Sequence, residues 1–153
     1  MTVSTKYPTM IDQIIAALGS ASSLTGVRVF DGMEIDESYP GNAIAIGHDG
    51  SLGETEMQVG NIRNTPLDFT DVHEESGTIN CSLWAWSGNT TLKSSRQTAF
   101  SLLSAVDGVI RTDPTFGGTC FYSWLESNTV GYRQTNVGAA VVLNFAIVYT
   151  AQS

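Results

Sequence analysis

From Gln134 to its end the chain carries no charged side chain. In that stretch Val137, Ala139, Val141, Leu143, Phe145, Ile147 and Tyr149 alternate with Gly138, Ala140, Val142, Asn144, Ala146, Val148 and Thr150. Successive side chains of a strand point to opposite faces of its sheet, so the first set makes one almost wholly apolar face. The second set is small and semi-apolar. A strand wetted on one side normally alternates apolar with charged residues, and this one does not. It predicts a strand whose second face is also covered, by a helix of its own chain or by a neighbouring subunit. The run is too short to span a membrane as a helix, and Asn144 interrupts it.

The composition points the same way. Only 14% of the 153 residues are charged, against about 25% in an ordinary soluble domain. A surface so short of charge is covered by Ser, Thr, Asn and Gly, or is hidden against partners. The length suits one domain, residues 1–153. The net charge of −8 is uneven: twelve acids against Lys6, Arg28 and Arg63 give −9 over residues 1–75, and the remainder carries +1. No basic patch fit to grip phosphates is present, which excludes sequence-specific nucleic-acid binding. The acidic half solubilises the chain or keeps passing DNA from sticking. Cys81 and Cys120 sit in strand-like runs rather than in C-x-x-C spacing and read as small buried hydrophobes in a reducing compartment. The N-terminal MTVSTKYP has no apolar core of a secretory signal, so synthesis in the cytoplasm is expected, with no membrane partner.

Elements follow from periodicity. Pro8 suits a first helical turn, Met10, Ile11, Ile14, Ile15 and Leu18 follow at helical spacing, and Gly19 with the serines after it ends the helix. Val27–Phe30 and Asn42–Gly47 read as short strands around an acidic loop holding Glu34, Asp36 and Glu37. The stretch 48–76 is polar and long, and predicts a projecting acidic hairpin or loop, with arms 54–62 and 67–72 around a turn at Arg63-Asn-Thr-Pro66. Gly77–Ser87 alternates, with Ile79, Cys81, Leu83 and Ala85 facing the core and Trp84 and Trp86 facing away. A long helix follows over about 90–111, its stripe formed by Leu92, Ala99, Leu103, Val106 and Ile110, and Asp113-Pro114 stops it. Strands over 120–125 and 128–134 precede the final one. The fold class is α+β: a mixed, mainly antiparallel sheet flanked by two α-helices, with a long projecting hairpin.

Catalytic patterns are nearly absent. Asp49-Gly-Ser51-Leu-Gly53 misses the Gly-x-Ser-x-Gly elbow at its first position, and His48, Asp49 and Ser51 in one turn do not make a triad. His73-Glu74-Glu75 has ligand types without ligand spacing. Asp31, Glu34, Asp36 and Glu37 resemble a calcium loop, but Met33 and Ile35 break the order. No phosphate-cradling glycine loop occurs. The reading is a non-enzyme with no cofactor and no metal. Trp84, Trp86 and Trp124 complete a core, anchor an interface or line a ligand pocket.

The order of elements resembles the tail terminator (tail-completion) proteins of long-tailed bacteriophages. The similarity is carried by Val27-Arg-Val-Phe-Asp-Gly32 after the first helix, Ile79-Asn-Cys-Ser-Leu-Trp-Ala-Trp86 before the second, and Gly138 to Thr150 at the end. It implies a homohexameric ring in the virion neck that caps the tail tube, stops its polymerisation and joins tail to head. Its partners would be further copies of itself, the tail tube protein and the head–tail connector or stopper protein, with DNA passing through the bore unbound. On that reading Trp84, Trp86, Val142, Asn144, Ala146 and Val148 are candidate subunit-interface residues, and Glu34, Asp36 and Glu37 candidate bore-lining acids. The alternatives are a head–tail stopper or other connector protein, or a small non-enzymatic binding module gripping a partner with its hairpin.

Overall fold

The computed structural model describes residues 5–32, 41–48, 59–67, 73–87, 92–135 and 138–152. Glu34, Asp36 and Glu37 lie outside them, as do Asp49 and Ser51.

Helix α1 spans Tyr7–Ser20 with Pro8 in its first turn, and Met10, Ile14 and Leu18 are its buried stripe. A short 3-10 turn, Ser22–Leu24, leads into β1, Arg28–Asp31. Strand β2 is Ala43–Ile46, and β3 is Gly60–Pro66. Two long strands, β4 (His73–Ser87) and β6 (Gly138–Gln152), form the spine, with β5 (Tyr122–Thr135) beside β6. Helix α2, Leu92–Thr112, crosses between β4 and β5.

The sheet runs β1-β2-β4-β6-β5, with β1 and β2 parallel and the other pairs antiparallel. Strand β3 also pairs with β4, at His73–Ile79, whereas β2 takes Cys81–Trp84. The two short strands therefore lie end to end along one side of β4. One end of the sheet reads β3-β4-β6-β5 and the other β1-β2-β4-β6-β5. Asn80 spans the junction: its carbonyl accepts the amides of Gly47 and His48, and its own amide donates to Val59 O.

Both helices pack on one face. Met10, Ile14 and Leu18 of α1 and Ala99, Leu103, Val106 and Ile110 of α2 join Ile79, Cys81, Leu83, Val141, Leu143, Phe145, Ile147 and Tyr149 in one core. Each Leu or Ile buried there contributes about 1.5–3 kcal/mol relative to exposure. Alternation thus placed the core faces of β4 and β6 correctly. On α2 the innermost residue of the first turns is Ser95, with Leu92 only partly buried.

Two expectations about strands are corrected. Arg63-Asn-Thr-Pro66 is not a turn but the second half of β3, paired residue for residue with β4. Proline is tolerated because β3 is an outer strand: among the described residues it pairs only with β4. The segments 120–125 and 128–134 are not two strands but one, β5, interrupted by a bulge between Leu125 and Asn128. Two residues there oppose one on β6, so the face on which odd and even residues lie switches midway.

After α2 the chain turns through consecutive left-handed residues, Phe116 (φ 47°), Gly117 (φ 71°) and Gly118 (φ 85°). Asp113 holds this turn: Oδ1 accepts the Thr115 hydroxyl and amide at 2.6 and 3.2 Å, and Oδ2 accepts the Gly117 amide at 2.8 Å. Those donors, the Thr115 hydroxyl first, hold its carboxyl below the usual range. The turn puts the Phe116 ring into the core, which is what makes a positive φ at a non-glycine residue tolerable.

Both cysteines are free and buried. Burial pushes the Cys81 thiol up to about 12, against an ordinary 9.0. A thiol protonated in the fold but ionised in the unfolded chain favours folding fully only below the ordinary pKa. Stability is then lost as pH rises from about 9 toward 12, by about 1.4 kcal/mol per pH unit for this one group. Cys81→Ala should flatten the alkaline limb of a stability-versus-pH profile; an unchanged limb would assign the alkaline sensitivity elsewhere.

A candidate assembly surface

The sheet face away from the helices carries the chemistry that needs explaining. Register places Trp84, Val142 and Gly131 in one cross-strand row, Ser82, Asn144 and Thr129 in the next, and Thr78, Val148 and Trp124 further along. No helix among the described residues packs on this face. Phe30, Ala43, Ala45, Trp84 and Val142 form a second, smaller apolar cluster there. The expected cover by a helix of the same chain is not seen among the described residues; the side chains of β1, β2 and β4 shield Val142 only from beside it on the same face.

The six candidate interface residues divide. Trp84, Val142 and Ala146 are buried within the chain, at 8%, 9% and 8% exposure. Trp86, Asn144 and Val148 are half-buried. Trp84 is a packed side chain rather than a protruding anchor, because Phe30 and the edge of the His48 ring, at 5.2 Å, close over it.

Beside that cluster lies a buried polar group. The Ser82 hydroxyl is 2.8 Å from Asn144 Oδ1, 3.2 Å from the His48 carbonyl and 3.3 Å from His48 Nδ1. His48 and Ser82 are buried, so His48 is part of the interior. The group brings serine, histidine and an amide together, yet it does not form a nucleophile. A hydroxyl has one proton, and its shortest contact directs that proton to Asn144, not to the imidazole. With Ser82 fully buried, no substrate carbonyl can reach it. The cluster satisfies polar groups in the interior, which is the ordinary requirement of such groups.

A second buried polar knot ties the helix to the sheet. Glu75, fully buried, accepts the Lys6 amide at 3.0 and 3.2 Å and the Tyr149 hydroxyl at 2.5 Å. Lys6 is the N-cap of α1 and supplies no side-chain cap. The Glu75 carboxyl group therefore holds the amide of the N-cap residue, the part that a glutamate in the first helical turn plays in a capping box, and lies at the positive end of the helix dipole. Burial, reinforced by the Glu75 bond, raises the Tyr149 hydroxyl well above the usual tyrosine range. Glu75 belongs to the core, and His73 and Glu74 beside it on the same strand share no site with it. Among the described residues no three potential metal ligands converge.

What does reach solvent is concentrated on two strands. Among the described residues Val59, Ile62 and Leu67 lie on or next to β3, Phe121, Tyr122, Trp124 and Val130 lie on or next to β5, and Phe100 is exposed on α2. The Tyr122 and Trp124 rings lean together at 5.8 Å. Of the strand residues here only Trp124 was singled out from the sequence, and Phe100, which helical spacing places on the widened apolar stripe of α2, is exposed. The signal was present in Phe121-Tyr-Ser-Trp-Leu125, three aromatic residues in five. What it lacked was any indication that the strand is an outer one. Between the C-terminal halves of α1 and α2 there is also an open groove of about 500 Å³, lined by small residues such as Ala17, Ala21, Ala105 and Gly108.

No protein-family model matches the chain, and no curated protein is significantly similar to it.

Proposed function

We propose that the chain is the subunit of a ring in a phage neck, one that caps the finished tail tube, stops its growth and joins the tail to the head. The observation that carries the reading is the distribution of apolar surface. Both helices lie on one face of the sheet, and among the described residues the large exposed hydrophobic side chains, Phe100 apart, gather on or next to two outer strands, β3 and β5. Apolar surface arranged along edges suits association with further protein. Two different edges on one subunit suit a head-to-tail contact, which closes into a ring when the rotation between subunits allows. The order of elements and their residues, which resemble tail terminators, supply the neck and tail part of the proposal.

Size-exclusion chromatography with light scattering on the purified protein should give a mass several times 16.4 kDa, and negative-stain images should show rings with an open centre. Addition of those rings to growing tail tubes should arrest elongation. A strictly monomeric mass at high concentration would remove the proposal's basis.

A further inference from the structure

We infer that the subunits join edge to edge: β1 of one copy pairs antiparallel with β5 of the next, and the sheet continues from subunit to subunit. The inference rests on the ring reading above and specifies its contact.

The first support is position. Strands β1 and β5 end the five-strand path of the sheet, and among the described residues each pairs with one neighbour. Outer edges of this kind offer backbone donors and acceptors to a further strand. Strand β3 stands in the column of β2, one strand farther in, so in an unstaggered copy β1, not β3, meets β5. The second support is height. With the strands along its axis, a closed ring allows no rise from copy to copy, and the joining edges must stand level. Register runs Asp31–Ile46–Cys81–Phe145–Asn128 across the sheet and, three rows on, Arg28–Ala43–Trp84–Val142–Gly131. Strand β1 therefore spans the same rows as residues 128–131 of β5. The third is direction. Strand β1 is parallel to β2, β2 antiparallel to β4, β4 to β6, and β6 to β5, so β1 runs antiparallel to β5. A rotation about an axis along the strands keeps that sense, which is the favoured one.

The fourth support is what the side chains meet. In the row of Leu83 and Leu143, Val29 of one copy comes opposite Val130 of the next, both on the helix side of the sheet. Val29 is half-buried and Val130 is 45% exposed, so the pair covers apolar surface that one subunit leaves open. On the other side Arg28 comes opposite Gly131, which leaves room for a guanidinium held over its own Phe30 ring at 4.6 Å. The helix layer continues as well. Helix α1 packs over β1 and β2, and α2 over β4, β6 and β5, so α1 of the incoming copy stands beside α2. Exposed Phe100 lies on that flank of α2, two turns before Asp107, which lines the cleft beside β5. Half-buried Ile11 and Ile15 lie on the flank of α1 turned from Ala17 and Ala21, which face α2 of their own subunit. Charge agrees: β1 belongs to the half of the chain that carries −9, and β5 to the half that carries +1. Joining β1 to β5 brings these unlike halves together, whereas β1 against β1 would oppose two acidic ones. Ile62, Tyr122 and Trp124 lie beyond the rows of β1 and stay outside the contact.

Val29→Cys and Val130→Cys proteins are mixed at a concentration where the oligomer is assembled and are oxidised with copper phenanthroline. Within one subunit the two positions stand four strand spacings apart, about 19 Å, too far for a disulfide. Peptide mass spectrometry separates the introduced thiols from the buried Cys81 and Cys120. The expected result is a disulfide joining the two different variants, absent from either variant alone, and a ladder of multimers from the double variant. Val130→Glu, still folded by circular dichroism because the valine is exposed, should raise the concentration at half-dissociation about tenfold or more, since it sets a charge against an apolar partner. Ile62→Glu on β3 should leave that concentration unchanged. An assembled oligomer with no 29–130 disulfide, or one that Ile62→Glu dissociates and Val130→Glu does not, would overturn the β1–β5 contact and leave the ring intact. A strong disulfide of Val130→Cys with itself would overturn it in favour of a two-fold contact between β5 strands. A monomer under all conditions would overturn the ring reading along with it.

Discussion

Replacing Gly77 with alanine should destabilise the protein by about 3 kcal/mol or more, the upper range for forcing an atom into a packed interior. Gly77 is the cross-strand partner of Tyr149, and the tyrosine ring packs against it. A Cβ built on Gly77 falls well inside van der Waals contact of the ring carbons and hydroxyl of Tyr149. The ring has nowhere to go. It is fully buried, and its hydroxyl is held by Glu75. In a domain of this size the loss corresponds to a fall in Tm of roughly 6–12 °C. The control is Gly108 in α2, where a Cβ meets nothing. There the same substitution should stabilise by roughly 0.5–1 kcal/mol, because glycine is a poor residue for a helix interior. Thermal melts of the two variants should therefore move in opposite directions. A Gly77→Ala melt matching wild type would mean that the strand and ring separate at little cost.

Glu75→Ala should cost about 2–5 kcal/mol, from two hydrogen-bond donors left without their acceptor at about 1–3 kcal/mol each. The substitution leaves the Lys6 amide and the Tyr149 hydroxyl buried without an acceptor and removes the anion from the helix N-terminus. Glu75→Gln should cost less, since its carbonyl oxygen still accepts while its amide adds donors to a site already supplied with them. The local signature is faster amide exchange at the first turn of α1, because the carboxylate is what secures that end of the helix to β4. Equal denaturation midpoints for Glu75→Ala and wild type would show that the knot contributes nothing. The knot also has an alkaline side. Because the Tyr149 hydroxyl is held above its ordinary pKa, its share of stability is complete below about 10 and is lost as pH rises beyond it.

Much of this architecture is visible in the order of residues, and what is hidden has identifiable causes. Helix α1 and the inward faces of β4 and β6 could be read off because period and burial coincide: Ile14 and Leu18, Ile79 and Leu83, and Leu143 and Ile147 are apolar where they are buried. Strand β3 was hidden because an outer strand has no burial pattern to betray it; every residue from Asn61 to Pro66 is exposed. The unity of β5 was hidden because its bulge breaks the alternation on which strand recognition depends. Glu75 and His48 read as solvated because isolated polar residues usually are. Their burial depends on partners far along the chain, Lys6 and Tyr149 for one, and Ser82 and Asn144 for the other. Such pairings leave no local trace. For the candidate surface, alternation placed Trp84 and Val142 on the face away from the helices but did not show the strands at which that face opens to solvent. That depends on strand order, which periodicity does not encode.

The bulge at Glu126 and Ser127 gives this part of β5 an unusual intolerance. Surface positions generally accept added or lost residues, but here a one-residue change in length is a change of phase. With β6 as the fixed ruler, deleting either residue would rotate everything on one side of the gap by half a strand repeat. Leu125 would then turn outward, or the downstream half would present its opposite side. Substitution at these two positions is a local matter; a codon gained or lost would exchange the inner and outer surfaces of half a strand.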